Sequence, residues 1–169
     1  MKIILTLLFL IPTLLQADTG LLWKLYKESY TNEKSALTLF NICKNYNENS
    51  APVLIAYRST SSFLMCNHVF NPVDKIKYFN EGKKWMKIAT TKDSSNAMIR
   101  FFRYSVQFKS PNFLNYHSNL QVDQSYLTDF LIKNQKKVTD TLATISKFFI
   151  DNKIPLKPEE REILLNLKS

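Results

Sequence analysis

Apolar side chains recur with helical spacing along most of this chain. Leu21, Leu22, Leu25 and Tyr26 repeat at intervals of three and four residues, which places them on one face of a helix. The chain has only two glycines, so the tight turns of a β-sandwich or barrel would lack their usual residues with positive φ. The pattern therefore predicts an all-α protein with no convincing strand.

Polar runs and prolines divide this pattern into seven or eight helices. Each predicted boundary is a polar stretch, an Asn-Pro pair or a proline that suits the first turn of a helix. The predicted helices cover residues 21–30, 33–46, 52–70, 72–91, 97–108, 123–133, 139–151 and a short closing helix from Pro158. The segment between 109 and 119 has no period but contains apolar anchors, which predicts an irregular segment that packs against the helices.

Consecutive helices joined by short turns are expected to form antiparallel hairpins. Gly82, Met86 and Ala89 have the spacing of the second helix of a tetratricopeptide repeat, and Asp93 falls at the turn that follows it. The match covers half of one repeat. We therefore expect the hairpins to stack in a tetratricopeptide-like array with degenerate repeats.

The N-terminal residues Met1 to Ala17 have the pattern of a secretory signal peptide. Lys2 is followed by an apolar run from Ile3 to Leu15, and Ala17 supplies a small residue at the cleavage site. No cysteine follows the predicted cut, so lipid attachment is not expected. The sequence predicts one helical domain over 18–169, exported to the periplasm or secreted, without a stable membrane anchor.

The chain is basic, with a formal net charge of +9. Its lysines are scattered and its arginines are few, whereas a nucleic-acid surface favours clustered arginines. Nucleic acid is therefore not an expected partner. Binding of an anionic lipid or glycan through the lysine excess remains an alternative function.

Two cysteines, Cys43 and Cys66, would enter an oxidising compartment after export. In an antiparallel hairpin that turns near Glu48, the residue opposite Cys43 is near Leu54, and Cys66 lies about 18 Å further along the helix. A disulfide needs Cα atoms within about 7 Å of each other. Helix geometry therefore favours two buried thiols over a disulfide.

The fifth predicted helix carries the strongest candidate for a binding site. Arg100, Arg103 and Gln107 lie at i, i+3 and i+7 and form one stripe on a helix that is apolar around most of its remaining surface. Two arginines on such an edge are able to hold a carboxylate, phosphate or sulfate group. The alternative is that they face solvent or pair with internal acids such as Asp123 or Asp129.

Neither histidine belongs to a recognisable catalytic or metal-binding arrangement. Ser61 and His68 are two helical turns apart, about 10 Å along the axis, which is too far for a direct dyad. His117 lies half a domain away in the irregular segment, and no carboxylates are spaced as its partners. The sequence therefore predicts no catalytic residue, no metal site and no cofactor.

The stretch from Asn71 to about Asp123 contains a set of residues that carries a resemblance to a protein family. These residues are Asn71, Pro72, Lys75, Tyr78, Phe79, Gly82, Lys83, Asn96, Ile99, Arg100, Phe101, Arg103, Ser105, Gln107, Pro111, Phe113, Leu114, Tyr116, Asn119 and Asp123. On them the chain resembles an uncharacterised family of exported Bacteroidetes proteins with tetratricopeptide-like helices. Where that family prefers glycine, this chain has Asn115. The resemblance implies export and a helical fold but no known activity.

The irregular segment is placed to fold back over the stripe of the fifth helix. We expect the stripe to bond the segment's carbonyls or the amides of Asn115 and Asn119, either as a structural lock or as the rim of a binding groove. The candidate binding residues are Arg100, Arg103, Gln107, Tyr116 and Asn119.

The function predicted from the sequence is binding. We expect an exported module that binds or scaffolds a protein or peptide of the bacterial envelope, because stacked helices offer a concave surface for such partners. The alternative from another class is a small hydrolase of envelope polymer that uses His68 or His117 as a base.

Overall fold

The computed structural model describes residues 19–168, which form eight α-helices and no strand. The predicted all-α class and the number of helices are confirmed. The signal peptide predicted at Met1 to Ala17 lies outside the described residues. The helices are α1 (Thr19–Glu28), α2 (Glu33–Cys43), α3 (Pro52–Met65), α4 (Pro72–Lys92), α5 (Ala97–Lys109), α6 (Leu120–Asn134), α7 (Asp140–Asp151) and α8 (Pro158–Lys168), with a 3₁₀ turn at Asn112–Leu114.

The polar residues between the apolar runs start several of these helices. Asn32 caps α2 by accepting from the backbone N–H of Ser35 at 3.0 Å, and Asn96 caps α5 by accepting from Met98 at 3.1 Å. Such side-chain caps satisfy backbone donors that have no partner within the helix. The loop signals of the sequence therefore mark real helix starts.

The third helix is shorter than the sequence predicted, and the sixth begins earlier. α3 ends at Met65 rather than near residue 70, because the next turn tightens: Cys66 and Asn67 bond to carbonyls three residues back, which is 3₁₀ rather than α geometry. Pro72 also disfavours helical backbone just before it. α6 begins at Leu120, so the irregular segment is the stretch 110–119.

Helix α3 is the central element and packs against α2, α4 and α5. It runs antiparallel to α4, since Ser59 bonds the carbonyl of Gly82 at 2.7 Å while Cys66, further along α3, contacts the carbonyl of Lys75, earlier in α4. Glycine at position 82 permits this approach because a Cβ there would lie 2.8 Å from the Phe63 ring. The pair supplies one wall and the floor of the pocket described below.

The second half of the chain closes the core from the other side. α5 packs on α6, and α7 packs on α8. Trp23 of α1 donates its indole N–H to Asp140 at the start of α7 at 2.7 Å, which ties α1 to α7. Tyr26, Tyr57 and Phe102 form a buried aromatic centre. None of the helices between 19 and 168 is long and apolar enough to cross a membrane.

Candidate functional site

The two arginines of the predicted stripe bind one internal carboxylate. Asp123 on α6 is 0% exposed. Its Oδ1 accepts from Arg100 Nη1 at 2.9 Å and from Arg103 Nη2 at 2.6 Å, and its Oδ2 accepts from Arg103 Nε at 2.6 Å. Charge-assisted, bidentate pairing of this kind is among the stronger protein hydrogen bonds. Of the alternatives drawn from the sequence, internal pairing with an acid describes this geometry, and the arginines bond Asp123 and Ser94 rather than the 110–119 segment.

Arg100 has two further internal partners. Its Nε donates to the carbonyl of Ser94 at 2.6 Å, and its guanidinium carbon lies 4.2 Å from the ring centroid of Tyr126. The side chain thus bonds to the loop before α5 and packs on α6. The guanidinium groups are directed at the protein itself rather than at an open surface.

Gln107 and Asn119 form the other half of this arrangement. Gln107 is buried; its Nε2 donates to Asn119 Oδ1 at 3.4 Å, and its Oε1 accepts the backbone N–H of Asn119 at 3.1 Å. Asn119 lies directly before α6, so the pair fixes where that helix begins. We call Arg100, Arg103, Gln107, Asn119 and Asp123 the lock, because together they join α5 to the start of α6.

The 110–119 segment turns within a few residues before it reaches the lock. Asn115 has φ 48° and ψ 47°, the left-handed conformation that glycine and asparagine tolerate best. The ring of His117 bonds the carbonyl of Ser110 at 3.0 Å, which holds the two ends of the segment near each other.

Tyr116 anchors the segment on the α3 and α4 hairpin. Its ring stacks on Phe63 with centroids 5.8 Å apart and meets Phe79 edge-on at 5.6 Å. Burial raises the pKa of Tyr116 to about 12, although Arg103 and Gln107 act in the opposite direction. The phenol is therefore neutral at physiological pH, and Tyr116 serves as an apolar anchor with a polar tip.

The two histidines are separate from each other in the structure. His68 bonds the carbonyl of Ser29 at 2.7 Å, so it ties the end of α3 to the end of α1. Ser61, which the sequence analysis considered as a partner of His68, donates its hydroxyl to the carbonyl of Arg58. Within residues 19–168 no three His, Cys, Asp or Glu side chains are grouped to hold a metal ion.

Both cysteines are free thiols, as predicted from helix geometry, but of the two thiols predicted to be buried only Cys43 is so. Cys43 is fully buried, and burial raises its pKa to about 12. Burial also raises the pKa of Cys66 to about 11, but Cys66 is only half-buried and lines the pocket described next. A protonated thiol is a weak nucleophile.

An apolar pocket of about 510 Å³ lies between α3, the first half of α4, the last turns of α5 and the 110–119 segment. Its buried floor contains Phe63 and Leu64. Ile76 of α4, 57% exposed, and Phe113 of the 3₁₀ turn, 84% exposed, stand at its rim. The volume falls within the range that small-molecule pockets occupy.

Hydroxyl groups give the floor of this pocket a polar spot. Thr60 and Ser105 line it and are both almost completely buried. Ser105 donates to the carbonyl of Phe102 at 3.0 Å, whereas Thr60 Oγ1 has no hydrogen-bond partner in the described structure. Buried hydroxyls are usually paired, so an unpaired hydroxyl in a pocket wall needs an explanation.

The sequence did not reveal this pocket. Its walls come from residues far apart in the chain, such as Thr60, Ile76 and Val106, whose meeting depends on how α3, α4 and α5 cross. One usable signal was the apolar content of the irregular segment. The segment packs against the helices through Tyr116, whereas Phe113 of the 3₁₀ turn is exposed at the rim.

No protein-family model, curated protein or solved structure matches this chain. Function is therefore interpreted from the geometry of the described residues. That geometry places the lock at the end of the 110–119 segment that carries Asn119, and the apolar pocket beside the end that carries Ser110.

Proposed function

We propose that this protein is an exported, non-catalytic binding module whose binding site is the apolar pocket. The observation that carries the proposal is a cavity of about 510 Å³ whose apolar floor continues into exposed apolar side chains at its rim. Exposed phenylalanine at the mouth of an apolar cavity is typical of a surface that covers a ligand or partner. The proposed site therefore holds the apolar part of another molecule.

The role of the candidate stripe follows from the same proposal. The lock holds the start of α6 and the 110–119 segment in place, and that segment supplies Pro111, Phe113 and Leu114 to the pocket wall. Arg100, Arg103, Gln107 and Asn119 are then positioning residues, and Tyr116 is the anchor beneath them. Their contribution to binding is to keep one wall of the pocket fixed.

Export and the kind of array complete the proposal. Location in the bacterial envelope rests on the apolar run from Ile3 to Leu15 after Lys2. A tetratricopeptide-like stack is supported by antiparallel pairing of consecutive helices, most clearly α3 with α4. In such a stack a groove between neighbouring helices receives the partner.

Hydrolysis is the weaker candidate on geometric grounds. A base must reach the substrate's reacting atoms, yet the rings of His68 and His117 bond the backbone carbonyls of Ser29 and Ser110. Neither histidine is among the residues that line the pocket. The arrangement of the described residues therefore favours binding.

A fluorescence titration tests the proposal. N-phenylnaphthylamine, a neutral dye that brightens in apolar surroundings, is expected to bind the mature protein saturably with a stoichiometry of one. Ile76→Trp places a large ring at the mouth of the pocket and should weaken binding about tenfold or more. Val122→Trp makes the same change at an exposed site on α6 and should leave it unaltered.

Two results would contradict the proposal. One is no saturable binding by the folded wild-type protein. The other is equal affinity in the Ile76→Trp and Val122→Trp variants, since both would then bind the dye at a surface other than the pocket. Far-ultraviolet circular dichroism of each variant shows whether the helices are intact.

A further inference from the structure

The floor of the pocket combines the unsatisfied hydroxyl of Thr60 and the paired hydroxyl of Ser105 with apolar side chains. Residues 59–62 are four consecutive hydroxyl residues on the central helix α3. Ser59 bonds the carbonyl of Gly82, and Ser61 and Ser62 both bond the carbonyl of Arg58. Thr60 lines the pocket, and among the described residues its hydroxyl is the buried side-chain group left without a partner.

An unpaired hydroxyl at this depth is energetically costly. Thr60 is 1% exposed, so bulk water does not compensate its hydroxyl, and a buried polar group without a partner destabilises a fold. Threonine in a helix has two accessible χ1 rotamers. The Thr60 oxygen itself is inaccessible as it stands, so pairing with an occupant of the pocket requires rotation about χ1.

The charges around the pocket indicate which oxygen would satisfy this hydroxyl. The cationic lining residues, Lys75 and Lys109, are exposed, and Lys109 already bonds Asn152. The floor itself offers Thr60 and Ser105 beside apolar side chains. A carboxylate placed there would lose its hydration without gaining a cation, which is strongly unfavourable.

We propose that the occupant is a small apolar molecule with a neutral hydroxyl or carbonyl oxygen, and that this oxygen pairs with Thr60. This inference rests on the proposed binding function. The apolar body of the ligand would lie against Phe63, Leu64 and Phe79, and its oxygen would reach the floor. Ile76 and Phe113 at the rim would cover the outer face of the ligand.

Three probes with the same ring system show whether the pocket prefers no oxygen, a neutral oxygen or an anionic group. Naphthalene has no oxygen, β-naphthol is neutral at neutral pH, and β-naphthoate is an anion. The affinity of each probe is measured by competition with N-phenylnaphthylamine. One net hydrogen bond is worth about 1 kcal/mol, which corresponds to about fivefold in affinity. We expect β-naphthol to bind about fivefold tighter than naphthalene, and β-naphthoate to bind weaker than both.

Thr60→Val tests the named hydroxyl because it removes the oxygen and nearly keeps the shape. In this variant β-naphthol and naphthalene should bind within about twofold of each other, while naphthalene keeps its wild-type affinity. Thr90→Val is the matched control on α4. Its hydroxyl bonds the carbonyl of Met86 outside the pocket, so the preference for β-naphthol should persist.

The results that overturn this inference differ from those that overturn binding itself. If the dye binds but Thr60→Val retains the preference, or the wild type shows none, Thr60 does not select the ligand. Tightest binding of β-naphthoate would assign the site to an anion held by the rim lysines. Failure of all three probes to displace a bound dye would indicate a larger occupant, such as a peptide segment.

Discussion

Asp123 is the residue on which the lock depends. Its carboxylate has no solvent access and is shared by Arg100 and Arg103. Spacing along one helix is local information, so the sequence could place both arginines on one stripe. Their pairing with a residue on the next helix depends on how α5 and α6 cross, which is why it remained one alternative among several.

Removal of the charge on Asp123 should destabilise the protein strongly. Asp123→Asn leaves two half-buried guanidinium groups without their counter-charge, and breaking a buried pair in this way costs about 3–5 kcal/mol. Urea denaturation followed by circular dichroism measures the free energy of unfolding. Asp129→Asn, an exposed change on the same helix, should alter it by less than about 0.5 kcal/mol. Equal effects of the two changes would show that the lock does not stabilise the fold.

At the scale of elements, the packing of α3 against α4 depends on the close contact of the two helices at Gly82. Gly82 lies against the Phe63 ring, and its carbonyl accepts from Ser59. The ring of Tyr116 stacks on the same Phe63 ring. The hairpin, the 110–119 segment and the pocket floor therefore share one packing surface. A substitution at Gly82 that moves Phe63 should disturb the packing of all three.

Gly82→Ala should destabilise the protein although alanine is the better helix former. The new Cβ would lie 2.8 Å from the Phe63 ring, and overpacking of a filled core costs about 1–3 kcal/mol. This outweighs the gain of up to about 1 kcal/mol in helix propensity. Thermal denaturation should show a lower Tm for Gly82→Ala and an almost unchanged Tm for Lys87→Ala on the exposed face. A raised Tm for Gly82→Ala would contradict the close packing.

The helices were predictable and the pocket was not, for a physical reason. Helix starts depend on neighbours in sequence, such as Asn71 before Pro72 and Asn96 before α5, and these signals gave most of the boundaries. The end of α3 was placed too late because the tight turn after Met65 has no proline or glycine within it. The pocket arises from contacts between residues far apart in sequence.

At the scale of the whole molecule, many ionisable groups are buried in their neutral form. Burial raises the pKa of Cys43 to about 12, of Tyr104 to about 12 and of Cys66 to about 11. The folded protein holds these protons more tightly than the unfolded chain does. Their contribution to stability is therefore complete below the unfolded pKa values and is lost as pH rises through the folded ones.

Stability should fall at alkaline pH. The unfolded thiol at position 43 ionises near 9 and the folded one near 12, so this group alone lowers the free energy of unfolding by about 1.4 kcal/mol per pH unit between those values. Urea denaturation at a series of pH values measures the slope. Cys43→Ala should give a shallower slope than wild type. A free energy that stays constant above pH 9, where the thiol begins to ionise, would contradict the burial of these groups.

The two cysteines also provide the most direct test of the binding pocket. Cys66 lines it, whereas Cys43 is fully buried in the core and serves as an internal control. The measurement is the rate at which a thiol reagent modifies Cys66, with and without saturating β-naphthol. We expect the ligand to slow that rate at least fivefold, while Cys43 stays unmodified in both conditions. An unchanged rate at Cys66 under saturating ligand would place the bound molecule elsewhere and contradict the proposed site.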